Sequence, residues 1–169
     1  MLAATGYNDE DLAAIRDTAK TIPVFRSANM SLGVYVLRTL ARQAARLLPD
    51  FDIEIIEKHH NQKIDAPSGT ALMLYDAVSS PDTLPVFGRN GRTQKREKNE
   101  IGIHAIRGGS VPGDHEVGFY GPSEVVTLTH SAQDRSIFAR GALRAARFVS
   151  LQKPGEYDMD ALAQAMLEK

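Results

Sequence analysis

His59, His60 and Lys63 stand close together in EKHHNQKIDAPSGTA, residues 57 to 71, a stretch that places two imidazoles, an amine and a helix start side by side. An imidazole is the side chain best suited to exchange protons near neutral pH. A neighbouring ammonium is either a point charge for an anion or a second proton donor. Pro67 fixes a turn, and Ser68-Gly69-Thr70 opens a helical pattern whose first N–H groups and positive dipole end suit a carboxylate or phosphate. Gly69 leaves close approach unobstructed, and the Thr70 hydroxyl can add a hydrogen bond. Together these residues point to acid–base chemistry on a small anion. A metal centre is the weaker reading, because adjacent histidines on opposite faces of a strand chelate poorly and no third ligand lies at helical or turn spacing. Arg89, Arg92, Lys95, Arg96 and Lys98, in GRNGRTQKREKNE, lack the interleaved aromatic residues of a nucleic-acid patch and read as a solvated loop.

A strand must deliver these groups and a helix must receive them. FDIEIIEK, residues 51–58, reads as that strand, with Phe51, Ile53 and Ile55 on one face; past its end, alternation sends His59 and His60 to different sides of the sheet. Ser68 caps a helix to about Val78. Upstream, Ser31 caps a long helix whose Leu32, Val36, Leu40, Ala44 and Leu47 recur at helical spacing until Pro49 stops it. Downstream, EIGIHAIRGG, DHEVGFYG and EVVTLTHSA read as strands, the last two joined by a turn at Gly121-Pro122, while residues 80–100 are loop-like with a short LPVF strand. The expected fold class is therefore α+β. Strands 51–58, 101–108, 114–121 and 123–130 form an open mixed four-stranded sheet. Helices 31–48 and 68–78 cover one face, and Val117, Phe119 and Val125 lie on the other.

The two ends of the chain read differently. MLAATG looks like the end of a buried strand running into a turn, Asn8 caps a helix over DEDLAAIRDTAK, and IPVFRS follows as a short strand. That is a fragment of a parallel α/β sheet, as if the chain starts partway through a domain. Asp134 is expected to cap a helix over RSIFARGALRAARFVS, and Asp158 another over MDALAQAMLEK.

Composition narrows the partners. Lys plus Arg, 20, nearly balance Asp plus Glu, 21, so a net charge of -1 provides no general field for nucleic acid or an anionic membrane. Cysteine is absent, which excludes disulfides, thiolate ligands and thiol nucleophiles. No segment approaches the roughly 20 apolar residues of a membrane span, and MLAATGYNDED lacks the basic start of a secretory signal. The expected location is cytoplasmic.

EKHHNQKIDAPSGTA closely resembles the signature of the 4-hydroxy-tetrahydrodipicolinate reductase (dihydrodipicolinate reductase) family of bacterial lysine biosynthesis. The similarity continues through SANMSLGV, HAIRGGSVPGDHEV, FARGALRAARFV and YDMDAL. The resemblance implies an oxidoreductase of the diaminopimelate pathway. It would use NADPH or NADH to reduce the dehydrated form of 4-hydroxy-tetrahydrodipicolinate, a small dicarboxylate, to tetrahydrodipicolinate, and would act as a homotetramer packed through its sheets. It makes His59 the proton donor/acceptor and Lys63 the proton donor, with His60, Gly69 and Thr70 binding substrate. AATG stands where the family commonly has Gly-Thr-Thr-Gly, which places Ala3, Ala4 and Thr5 along the nicotinamide ribose with one hydroxyl lost. SANM places Ser27, Ala28, Asn29 and Met30 in a second cofactor-contact loop.

The family's Rossmann start and Gly-rich pyrophosphate loop have no counterpart. Residues 1–30 thus read as the C-terminal remnant of a nucleotide-binding domain and 31–133 as a substrate-binding and tetramerisation domain. Residues 134–169 read as helices returning to the nucleotide-binding part. Arg135, at the junction of the last strand and the next helix, is either a bidentate clamp for a substrate carboxylate or a first-turn surface arginine; its poor fit to the helix dipole favours function. A second reading of the whole chain is a non-catalytic dicarboxylate-binding or assembly domain of the same family.

Overall fold

The computed structural model describes residues 1–4, 6–91 and 95–168. In chain order the elements begin α1 (Asp9–Ala19), β1 (Pro23–Phe25), α2 (Leu32–Leu47), β2 (Asp52–His59), α3 (Gly69–Val78) and β3 (Leu84–Phe87). They continue β4 (Glu100–Arg107), β5 (Asp114–Tyr120), β6 (Val125–Ser131), α4 (Ser136–Val149), β7 (Gly155–Tyr157) and α5 (Met159–Leu167). The chain divides into two compact units, Met1–Tyr35 with Arg135–Lys169, and Val36–Asp134. Among the described residues no helix is long and apolar enough to cross a membrane.

The first unit holds the chain's two ends. Asn8 caps α1 reciprocally: its Oδ1 accepts from the Asp11 N–H at 2.8 Å, and Asp11 Oδ2 accepts from the Asn8 N–H at 3.0 Å. β1 pairs in parallel with β7, from Pro23↔Gly155 to Phe25↔Tyr157, and Leu2 bridges in parallel to Arg26. β7, Gly-Glu-Tyr, has no apolar run to register as a strand in sequence. Phe25, Met30, Ala145, Met159 and Leu162 form the core, with Phe148 edge-on to both Phe25 and Tyr157. α5 is capped by Asp158, as expected. For α4 the N-cap residue is Arg135 rather than Asp134, and it makes no side-chain cap bond.

The second unit is a sheet of order β3-β4-β2-β5-β6. β2 runs parallel to β4 and antiparallel to β5. β3 adds in parallel to β4 and β6 in antiparallel to β5, so the LPVF segment makes a fifth strand where four were expected. Register fixes the faces, because side chains alternate and paired residues share a side. Ile55 pairs with Ile103 and Val117, Ile53 with Ile101 and Phe119, and all six face Leu37 and Ala41 of α2 and Ala71, Leu74 and Val78 of α3. Val117 and Phe119 therefore lie in the helix-covered core, which corrects their expected place on the opposite face; Val125 is out of phase with them and 55% exposed.

The face of α2 is corrected too. Leu37 and Ala41 are buried, with Ala44, Ala45 and Leu48 beside them, whereas Val36, Leu40 and Leu47 are exposed. An alanine-rich stripe lets the helix axis come close to the sheet, and close packing decides which of two apolar stripes is buried.

Candidate active site

On the helix-covered face of β2 the alternation that turns Ile53 and Ile55 toward the core continues to Glu57 and His59. A carboxylate and an imidazole thus stand two residues apart on one side of a strand, at the end where α3 begins. Glu57 is fully buried, 0% exposed. Its Oε2 accepts from His59 Nδ1 at 2.6 Å and from Arg107 Nη1 at 2.7 Å, and its Oε1 from Arg107 Nη2 at 2.7 Å and the Ser68 N–H at 2.9 Å. Arg107 arrives through the parallel register, in which His59 pairs with Arg107. Burial pushes the Glu57 carboxyl up, but the Arg107 fork, the His59 ring and the Ser68 N–H together outweigh it and hold the carboxyl below its usual range. The carboxylate is charged and can only accept.

Ser68 joins the site to a third histidine. Its Oγ accepts from the Ala71 N–H at 3.2 Å, capping α3, and lies 3.2 Å from His115 Nε2. His115 is buried and meets His59 edge-on, with ring centroids 5.2 Å apart. Burial, and next the neighbouring His59, push the His115 pKa down to about 4, so it stays neutral. His59 turns its Nε2 toward Gly113, where an added Cβ would stand 3.0 Å from that nitrogen.

The motif loop is tied down beside this cluster. His60 leaves the strand and donates its N–H to the Val111 carbonyl at 2.8 Å, and Asn61 donates to Gly109 at 3.1 Å. Lys63 Nζ donates to Asp65 Oδ1 at 2.8 Å; that bond holds the Asp65 carboxyl below its usual range. Gly69 opens α3 with nothing within 4 Å of an added Cβ, and Thr70 follows in the first turn. His59, His60, Lys63, Gly69 and Thr70 all belong to the second unit.

The remaining expected residues belong to the first unit. Ala3 and Ala4 are exposed just after the Leu2 bridge, and Thr5 lies outside the described residues. Ser27, Ala28, Asn29 and Met30 follow β1 in a loop closed on itself: Ser27 Oγ donates to the Asn29 carbonyl at 2.7 Å, and Asn29 Oδ1 accepts from the Ser31 N–H at 2.8 Å. Arg135 is exposed at the start of α4.

Sequence reasoning did not single out Glu57, Arg107, Gly113 or His115. Glu57 had a signal, since the period-2 run through Ile53 and Ile55 continues through it to His59. The others needed the sheet register.

The family profile described as "Dihydrodipicolinate reductase, C-terminus" matches residues 33–162. The chain belongs to the dihydrodipicolinate reductase family. It is 53% identical over 169 aligned residues to a 4-hydroxy-tetrahydrodipicolinate reductase of Caldanaerobacter subterraneus subsp. tengcongensis, covering 97% of this chain and 66% of that protein. It is also 53% identical over 165 residues to the protein of that name from Clostridium botulinum, covering 95% and 65%. The chain thus spans about two thirds of the length of these curated relatives. A solved structure, dipicolinate-bound dihydrodipicolinate reductase from Paenisporosarcina sp. TG-14, superposes with a TM-score of 0.73 at 26% identity, over 93% of this chain and 62% of that one. As in that family, the fold is mixed α/β, a mixed sheet with flanking helices.

Proposed function

We propose that this protein serves the NADPH- or NADH-dependent reduction of the dehydrated form of 4-hydroxy-tetrahydrodipicolinate to tetrahydrodipicolinate, in cytoplasmic diaminopimelate and lysine biosynthesis. The reading rests on one observation above the others: Glu57 holds Nδ1 of His59, which leaves Nε2 to exchange a proton. A nicotinamide, when bound, supplies a hydride to the substrate's conjugated C=C–C=N system, and the ring then takes one proton.

His59, once a second proton stands on Nε2, gives that proton and is left as the neutral Nδ1–H ring. Lys63 is the second donor; its pairing with the exposed Asp65 is weak enough to yield to a substrate carboxylate. His60, Gly69 and Thr70 bind the dicarboxylate at the start of α3, where the dipole favours an anion. Arg135 clamps a carboxylate through its guanidinium fork.

For the cofactor, Ala3, Ala4, Thr5 and the Ser27–Met30 loop contact the nicotinamide side. The described residues among them fit that role, because Ala3 and Ala4 follow the parallel Leu2 bridge and the Ser27–Met30 loop follows the carboxyl end of the parallel strand β1, the usual ligand position of open α/β sheets. Residues 1–30 and 134–169 belong to the nucleotide-binding part, and 31–133 to a substrate-binding and tetramerisation part. The working form is a homotetramer.

The test is calorimetric titration of the purified chain with dipicolinate, with and without NADH or NADPH, followed by assay on enzymatically generated substrate. Cofactor oxidation dependent on substrate supports the reading. Dipicolinate binding without turnover would instead make the chain a dicarboxylate-binding or assembly domain.

A further inference from the structure

We infer that Glu57 and Arg107 are positioning residues: the clamped carboxylate holds His59 in the Nδ1–H tautomer with Nε2 toward Gly113, and the same guanidinium fixes the segment that carries Lys63. The inference deepens the reading above and rests on its choice of His59 as the proton-exchanging group.

The bonding pattern leaves little choice of tautomer. Two donors meet each Glu57 oxygen, Arg107 providing one to each. A guanidinium has no acceptor and does not deprotonate, and a charged carboxylate has no donor. The ring nitrogen 2.6 Å from Oε2 must therefore carry the hydrogen. The neutral ring then presents its lone pair at Nε2, on the side where Gly113, with φ +154°, keeps the space clear. A second bond extends the control, since Arg107 Nη2 also donates to the Asp65 carbonyl at 2.6 Å, two residues beyond Lys63. The Asp65 side chain holds Lys63 in turn. One arginine thus sets both proposed proton groups without being placed to exchange a proton itself.

Glu57→Gln converts this into an observable. Because the Arg107 fork addresses both oxygens, either amide orientation turns an NH2 against an arginine N–H. The orientation that still accepts from Ser68 presents its NH2 to His59 Nδ1, which must then act as acceptor and move its proton to Nε2.

The experiment is long-range proton–nitrogen NMR of the imidazoles in the 15N-labelled full chain, without substrate, near pH 9, where ordinary imidazoles are neutral. The expected result is a single Nδ1–H signal for His59 in the wild type, inversion to Nε2–H in Glu57→Gln, and restoration in Glu57→Asp. Glu57→Ala removes the acceptor altogether, so it should give a mixture of tautomers, and it carries the test should Glu57→Gln fail to fold. An Nε2–H wild type, or an unaltered Nδ1–H signal in whichever of these two variants folds, would overturn the inference. The tautomer is read without turnover, so failure of the reductase assay would count against the proposed function and leave this result standing.

Discussion

Glu57 is a charge with no exposed surface, which a fold tolerates only when every lone pair is met. Its four donors meet that demand, and the imidazole it orients is the one whose loss should matter most. His59→Ala and Lys63→Ala should each lower kcat by roughly 10²- to 10⁴-fold, the range for general acid–base groups; unchanged turnover in both would remove them from the chemistry. His115 makes a separate prediction. Its pKa falls from 6.5 to about 4 on folding, so the unfolded chain binds the extra proton first. Its contribution is therefore complete above pH 6.5 and is lost as pH drops toward 4, by at most about 1.4 kcal/mol per pH unit. Glu57, shifted below 4.5, adds a further loss at more acid pH. Urea midpoints measured across this range should fall less steeply between pH 6.5 and 4.5 in His115→Gln, and equal slopes would reject the assignment. At this scale the sequence offered the contiguous proposed groups from His59 to Thr70. It was silent on the Glu57–Arg107 pair, because those residues are 50 apart and meet only through a parallel register.

Strands and helices were legible as elements, and less so in phase. DHEVGFYG reads unambiguously as a strand, yet nothing within it says whether Val117 and Phe119 face the helices; the answer lies in β5 pairing Ile55 with Val117 and Ile53 with Phe119. The same ambiguity hid the buried stripe of α2, where small alanines, weak hydrophobic signals, outrank exposed Val36, Leu40 and Leu47. Phase has an energetic test. Phe119→Ala should cost about 3–5 kcal/mol of stability, while Val125→Ala should stay within about 0.5 kcal/mol. Denaturant unfolding that found equal costs would mean that Phe119 does not lie in the helix-covered core.

Each unit carries its own apolar core, and the expected ligands divide between them: acid–base and dicarboxylate groups in one, cofactor loops and Arg135 in the other. The Arg135 side chain makes no cap bond to its own helix. Arg135→Lys should raise KM for the dicarboxylate several-fold and leave cofactor affinity and thermal midpoint nearly unchanged, because a lysine cannot reproduce a bidentate contact. An unaltered KM would make it an ordinary surface residue. The Glu57 network has one more consequence, for how the second unit comes apart. Its donors come from β2, β4 and the residue that caps α3, so moving any one of these elements alone takes a donor from that charge. Fraying at this corner is thereby suppressed, and the corner should open only when the whole unit does. In native-state hydrogen exchange the Ser68 amide should follow the global unfolding of the unit, with the full denaturant dependence; exchange through a small local opening would show that the motif loop breathes independently of the sheet beneath it.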